Sequence, residues 1–346
     1  MLRYLTAGES HGEALVAILE NIPAGLKLSE VMINAELKRR QQGFGRGARM
    51  QIENDKARIV SGLKKGVTLG SPITLCIKNK DFTIEKLPSV FCPRPGHADL
   101  AGILKYGFKD ARNVLERASA RETAIRVGIG AVCKVLLGEF GIDIASLVLS
   151  IGGEPGIESM VKKIKLAKDN KDTIGGAFEV IAQGVPCGLG SYVQPDRRLD
   201  GRIAQGIMSI PGVKAVAIGL GFGYAHKFGS ECHDAIYYNK ARGYFHKTNN
   251  AGGIEGGISN GEDIIIRAAM KPIATLLKPL NSVNIVSRKP AKASVERSDI
   301  CVVEAAGVIA ESALAYVLAD ALLEKFGSDS LSDIKDNYKN YLKKTR

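Results

Sequence analysis

The 346 residues carry 48 Lys and Arg against 36 Asp and Glu, a formal net charge of +12, with 45% hydrophobic and 24% charged side chains. This is the balance of a folded chain with a sizeable core, and the length allows one large domain or two ordinary ones. No run reaches the roughly 18–20 uninterrupted apolar residues of a membrane span, MLRYLTAGESHG lacks the order of a secretory signal, and the six scattered cysteines form no CxxC. Reduced thiols, no protein-held metal, no membrane and a cytoplasmic location are therefore expected. The positive charge calls for an anionic partner without choosing among nucleic acid, membrane surface and phosphorylated metabolite.

In chain order, Ser29 is placed to cap a helix to about Gln42, with Ile33 and Leu37 facing a core. RIVSGL (58–63) and ITLCIK (73–78) read as short strands around a turn in GVTLGSP. From Glu116 to about Phe140 the pattern predicts one long helix, apolar on most sides, as in a helix buried between layers. A strand at 142–151, a charged helix near 159–171 and a strand at 176–185 follow. Next come a helix at 199–210, a strand at 214–223 running into glycines, and a strand at 262–270. A second apolar helix spans 305–326, with Gly327 closing it. KDNYKNYLKKTR reads as a solvated, fraying end. Strands and long helices do not alternate strictly, so an α+β layered fold with mainly antiparallel pairing fits better than a doubly wound sheet. GLGFG (219–223) spaces its glycines at every second position and is not a dinucleotide-binding fingerprint.

Several stretches carry chemistry. GESHG (8–12) sets Ser10 and His11 between glycines, and RPGHADL (94–100) turns His97 out between Arg94 and Asp99. His11 can be read as a histidine satisfied in a turn, as the base of a serine nucleophile, or as a general acid titrating near neutral pH. Adjacent residues of a strand point to opposite faces, and the frame is not GxSxG, which disfavours the nucleophile. His226, His233 and His246 read as surface residues. KRRQQGFGRGARM (38–50) presents Arg40, Arg46 and Arg49 among glycines, and the arginine fork suits phosphate and carboxylate. Such a cluster also suits RNA phosphates, but one Phe and no Trp leave few stacking platforms. ERASARETA (116–124) puts Ser119 and Arg121 in the first turns of the long helix, where backbone N–H groups favour an anion. NNAGGIEGGISNGEDI (249–264) allows close backbone approach, and Lys271 and Thr275 of MKPIATL are placed to hold a phosphate. Arg297 and Asp299 precede the last buried helix.

Taken in order, GESHGEALVAILENIPAG, RPGHAD, ERASARETAIRVGIGA, NAGGIEGGIS and RSDICVVEAAGVIAESAL resemble the chorismate synthase family from about residue 3 to about 325. The resemblance implies a β-α-β sandwich, with central helices between two mainly antiparallel sheets. It implies a single domain over 1–346, with a peripheral tail from about residue 327, and a homotetramer. It implies a lyase that makes chorismate from 5-enolpyruvylshikimate 3-phosphate by 1,4-anti elimination of phosphate, needing reduced FMN without net redox change. His11 matches a histidine proposed to protonate the leaving phosphate, His97 one near flavin N1, and Asp299 an aspartate near flavin N5. Ser10 and Ser119 match serines that support the proton relays. Arg117, Ala118, Ser119, Gly256, Lys271, Pro272, Ile273, Ala274, Thr275 and Arg297 match FMN contacts. Arg40, Arg46, Arg49 and Arg121 are implied to hold the anionic substrate, and Arg40 and Arg46 also match positions assigned to NADPH.

Two departures stand out. The common Arg-His-Asp motif is Arg297-Ser298-Asp299 here, and ARNVLE (111–116) replaces a glycine run found in many members. With no evident insert for a built-in reductase, a monofunctional enzyme using externally reduced FMN is expected. The rival readings are an RNA-binding protein, marked by salt-dependent affinity, and an NADPH-oxidising flavoprotein that releases no phosphate.

Overall fold

A computed structural model describes residues 1–47, 53–296 and 298–345. Two four-stranded antiparallel sheets enclose the core. The first contains β1 (Arg3–Ala7), β2 (Ala14–Glu20), β3 (Ala57–Ile59) and β4 (Ile73–Lys78), in the order β1-β2-β4-β3. The second contains β5 (Asp143–Ile151), β6 (Gly176–Gln183), β7 (Val213–Ile218) and β8 (Ile264–Met270), in the order β5-β6-β8-β7.

Alternation sets the inner face of each sheet. Leu15, Ala17 and Leu19 of β2 pair with Ile77, Leu75 and Ile73 of β4, and all six are buried. Phe178, Val180 and Ala182 of β6 pair with Ala268, Ile266 and Ile264 of β8 in the same way. Each large apolar side chain so enclosed contributes about 1.5–3 kcal/mol relative to exposure.

Eight helices are used below: α1 (Glu30–Gln41), α2 (Asp99–Tyr106), α3 (Arg112–Ala118), α4 (Thr123–Gly138), α5 (Ile157–Asp169), α6 (Leu199–Met208), α7 (Val303–Phe326) and α8 (Leu331–Thr345). Helix α4 packs on β2 and β4, α7 packs on β5 and β6, and the two helices pack on each other. The layers therefore run sheet, α4, α7, sheet, and the expected sandwich is present. α7 is long and apolar enough to cross a membrane, a length the apolar-run reading passed over, but 89% of its apolar window is buried inside the fold.

The approach of α4 to α7 depends on a missing side chain. A Cβ on Gly130 would fall 2.2 Å from the Cβ of Ser312 and 2.4 Å from its Cα. Gly130→Ala is thus expected to push the central helices apart and cost roughly 1–3 kcal/mol, read as a lowered melting temperature. The interior also holds a charged knot at the centre of the helices. Glu311 of α7 is fully buried and accepts hydrogen bonds from Arg39 (2.7 and 2.8 Å), Ser146 (2.5 Å) and Lys134. This knot ties the end of α1 to α4, α7 and β5, and so fixes the next residue, Arg40.

Some elements differ from the sequence reading. The helix expected from Glu116 to Phe140 is broken: Ser119 is extended (φ −66°, ψ 142°), separating α3 from a short 3₁₀ turn at Ala120–Glu122 and then α4. Ser119 Oγ accepts the Arg121 N–H at 3.3 Å, so the hydroxyl replaces a helical bond at the break. The strand at 58–63 ends at Ile59, and residues 63–68 form a two-residue-per-arm hairpin where a turn was expected. Near the chain end α8 buries Leu331 and Ile334, and Tyr338 and Tyr341 meet Phe326 edge-on, while most of its surface, including Lys343 to Thr345, is exposed. Beyond β7, Gly219 and Leu220 turn into a 3₁₀ helix at Gly221–His226, and Gly219 (φ +58°) passes so close to Asn250 that a Cβ would lie 2.0 Å from its carbonyl oxygen. These glycines serve chain packing.

Candidate active site

A cavity of about 1120 Å³ opens between the layers. Its described lining includes seven basic side chains (Arg40, Arg46, Lys86, Arg94, Arg121, Lys214, Lys271) and three acidic ones (Asp81, Glu296, Asp299). Ser10, His11, His97, Ala118 and Ser119 also face it, as does the whole run Lys271, Pro272, Ile273, Ala274 and Thr275. Ile210, Pro211, Leu115, Val302 and Ile309 supply an apolar wall.

The GESHG stretch is a turn between β1 and β2, so Ser10 and His11 both line the cavity, unlike neighbours in a strand. His11 Nδ1 lies 3.0 and 3.1 Å from the carboxylate oxygens of Glu116, and its Nε2 lies 3.9 Å from Asp81. The second histidine is built in the same way. His97 Nδ1 lies 2.5 Å from Asp99 Oδ1, at the first residue of α2. Arg94 Nε donates to Asp99 Oδ2 at 2.9 Å, and Arg94 Nη1 donates to Thr275 at 2.7 Å. Burial opposes ionisation of Asp99, but hydrogen bonds from His97 and Arg94 and their charges hold its carboxyl well below the usual range.

The arginines are backed by acids. Arg121 Nη1 donates to Asp55 at 2.6 Å, its Nε donates to Asn79 at 2.9 Å, and Nη2 stands 3.6 Å from Glu53. Arg40 donates to Thr123 (2.8 and 3.1 Å) and to the Ala120 carbonyl (3.0 Å), with Asp55 3.6 Å from Nη1. Burial pushes the Arg40 guanidinium down to about 10; Asp55 opposes this, and the charges of Arg46 and Arg121 add to it. Arg40 Nη1 and Arg121 Nη2 are buried without hydrogen-bond partners. Arg46 is 3.6 Å from Asp299, whose Oδ1 accepts the Gly47 N–H at 2.5 Å. Burial and the charge of Lys214 lower Lys271.

Two expected contacts lie elsewhere. Arg117 turns away and donates to the carbonyls of Gly8 (2.8 Å) and Thr6 (3.1 Å), which steadies the GESHG turn. Gly256 lines a separate cavity of about 840 Å³ with Phe222, Tyr224 and Ile254. Arg49 and Arg297 lie outside the described residues. Among the other histidines, His226 and His233 are exposed, but the His246 side chain is only 9% exposed, between Glu255 (3.6 Å) and Glu262 (3.7 Å). Among the described residues no group of His, Cys, Asp and Glu is arranged to hold a metal. Sequence reasoning missed Glu53, Asp55, Asp81 and Glu116. Only Glu116 had a local signal, as the first residue of ERASARETA.

An interlayer cavity with clustered cations and two carboxylate-backed histidines defines an enzyme for a small anionic metabolite. The chorismate synthase family profile matches residues 2–323. The chorismate synthase of Thermoanaerobacter pseudethanolicus is 56% identical over 99% of this chain and 98% of its own, and that of Geobacter sulfurreducens is 50% identical over the whole of both. A crystal structure of a chorismate synthase superposes with a TM-score of 0.83 at 44% identity, covering 99% of this chain and 98% of that one. The chain belongs to the chorismate synthase family, carbon–oxygen lyases of the last step of the shikimate pathway.

Proposed function

We propose that this enzyme converts 5-enolpyruvylshikimate 3-phosphate to chorismate by 1,4-anti elimination, using reduced FMN. The observation that carries the reading is the convergence of His11, His97 and Asp299 on one cavity walled by Arg40, Arg46, Arg121 and Lys271. The residues fit the cofactor as well as the substrate. Single small-molecule pockets run to about 1,000 Å³, and this cavity is about 1120 Å³. Its cationic lining (Arg40, Arg46, Arg121 and Lys271) suits anionic oxygens, and its apolar wall suits a flat ring.

Ala118, Ser119, Lys271 to Thr275 and Arg297 are assigned to FMN. Gly256, on the wall of the separate cavity, is assigned to FMN from outside this one. When bound, reduced FMN supplies transient electron density that is returned before turnover ends, so no reductant is consumed.

The protein's part is positioning and proton handling. Arg40, Arg46, Arg49 and Arg121 hold the phosphate and carboxylates, and they stabilise phosphate as its ester bond to C3 breaks. His11 holds a proton for the leaving phosphate. Ser10 and Ser119 support the relays. His97 holds a proton at the end of the cavity near Lys271, and Asp299 keeps the proton balance for loss of the C6 hydrogen. NADPH at Arg40 and Arg46 belongs to the same reading as a visitor, since the enzyme is monofunctional and takes flavin already reduced. A cytoplasmic homotetramer completes it; exposed Phe222, Phe228 and Tyr244 are surface that association would cover.

The test is anaerobic. Purified protein, chemically reduced FMN and 5-enolpyruvylshikimate 3-phosphate are expected to give phosphate and chorismate in equal amounts, with the flavin still reduced. Oxidised FMN with NADPH in air is expected to give none. Absence of product under the first condition removes the reading.

A further inference from the structure

His11 is held at more points than a turn histidine requires. The backbone N–H of His11 donates to Glu116 Oε2 at 2.9 Å, and the backbone N–H of Ser10 donates to the Glu116 carbonyl at 2.9 Å. The ring Nδ1 meets both carboxylate oxygens. Burial would raise the Glu116 carboxyl, yet the hydrogen bonds from the His11 ring and backbone, with the charges of His11 and Arg112, hold it below its ordinary value. An ionised carboxylate only accepts, so the proton of neutral His11 belongs on Nδ1 and Nε2 is left for other partners.

Behind Glu116 stands Arg112. Its Nη1 is buried, lacks a hydrogen bond and lies 3.6 Å from Glu116, while its Nη2 donates to Glu296 at 2.8 Å. Glu296 lines the cavity and lies three residues before Asp299. Both Glu116 and Arg112 belong to ARNVLE, the segment that departs from a glycine run.

We propose that Glu116 is a positioning residue for His11: it keeps Nδ1 protonated whether the ring is neutral or charged, so that Nε2 faces the cavity and is the nitrogen from which the charged ring gives its proton to the phosphate, and Arg112 and Glu296 brace it from the segment that carries Asp299. The consequence for turnover rests on the elimination reading above. The tautomer does not.

Glu116→Gln separates the two. The Gln oxygen keeps the His11 backbone N–H, and its amide NH₂ then faces Nδ1 and favours the Nε2–H tautomer. Ring ¹⁵N shifts of neutral His11, recorded without flavin or substrate, are expected to show Nδ1–H in the parent and Nε2–H in the variant. Anaerobic phosphate release is expected to fall on the order of 10²- to 10⁴-fold in kcat with KM nearly unchanged. An unchanged tautomer overturns the proposal, as does an inverted tautomer with parental kcat. If Glu116→Gln does not fold, Glu116→Asp tests the same point, because the shorter acid draws away from Nδ1 and the Nδ1–H preference should weaken. If the parent releases no phosphate, the elimination reading fails while the NMR result still decides the role of Glu116.

Discussion

His97→Ala is expected to lower anaerobic turnover on the order of 10²–10⁴-fold, the usual worth of a positioned acid or base, while substrate affinity changes little. The asymmetry follows from where the ring is held. Pro95 and Gly96 turn His97 into the cavity, but its Nδ1 bonds to Asp99, and Arg94, which the same carboxylate anchors, carries the link to Thr275. Removing the imidazole leaves Arg94, Asp99 and the Lys271–Thr275 run in place, so the charges that bind anions remain. Asp99→Asn goes further toward the cause. The amide no longer attracts the Nδ1 proton as strongly, and the change is expected to cost turnover without emptying the cavity of cations. Phosphate release at saturating and limiting substrate separates kcat from KM. Parental turnover in His97→Ala would remove His97 from proton handling.

The sequence disclosed the layers because alternation and helical apolarity are local. β2, β4, β6 and β8 each place every second residue inside, and α4 and α7 are apolar on most sides because each lies between a sheet and a helix. The break at Ser119 was not legible. No glycine or proline marks ERASARETA, and its residues on both sides form helices; only the Ser119 hydroxyl, bonded to the Arg121 N–H, stands in for the lost turn. The break matters, since it places Ser119 and Arg121 at a bend facing the cavity and not along a helix side. The cations of the site could be read from glycine-framed arginines. Their acidic backing could not, because Glu116 meets His11 across 105 residues and Asp55 meets Arg121 across 66. Arg117 has a second partner the motif does not disclose: its guanidinium holds the backbone of the GESHG turn.

Arg121→Met tests whether those buried acids depend on the site's cations. The Arg121 side chain is 3% exposed and faces Asp55 at 2.6 Å and Glu53 at 3.6 Å, both fully enclosed. Methionine fills the space but leaves the buried Asp55 and Glu53 carboxylates without that cation, with Arg40 3.6 Å from Asp55 and the backbone N–H groups of Lys80 and Asp81 still donating to Glu53 at 3.1 and 3.3 Å. Breaking a buried pair from one side costs about 3–5 kcal/mol, because the uncompensated charge stays behind. A loss of that size is expected in denaturant unfolding, together with weaker substrate binding. Arg121→Lys keeps the charge but not the fork that spans Asp55, Asn79 and Glu53, so its loss should be smaller. Parental stability in Arg121→Met would mean that Arg40 and the surrounding backbone satisfy Glu53 and Asp55 unaided. The Arg121 guanidinium would then be retained for the ligand's anionic groups alone, and the whole penalty should appear in substrate affinity.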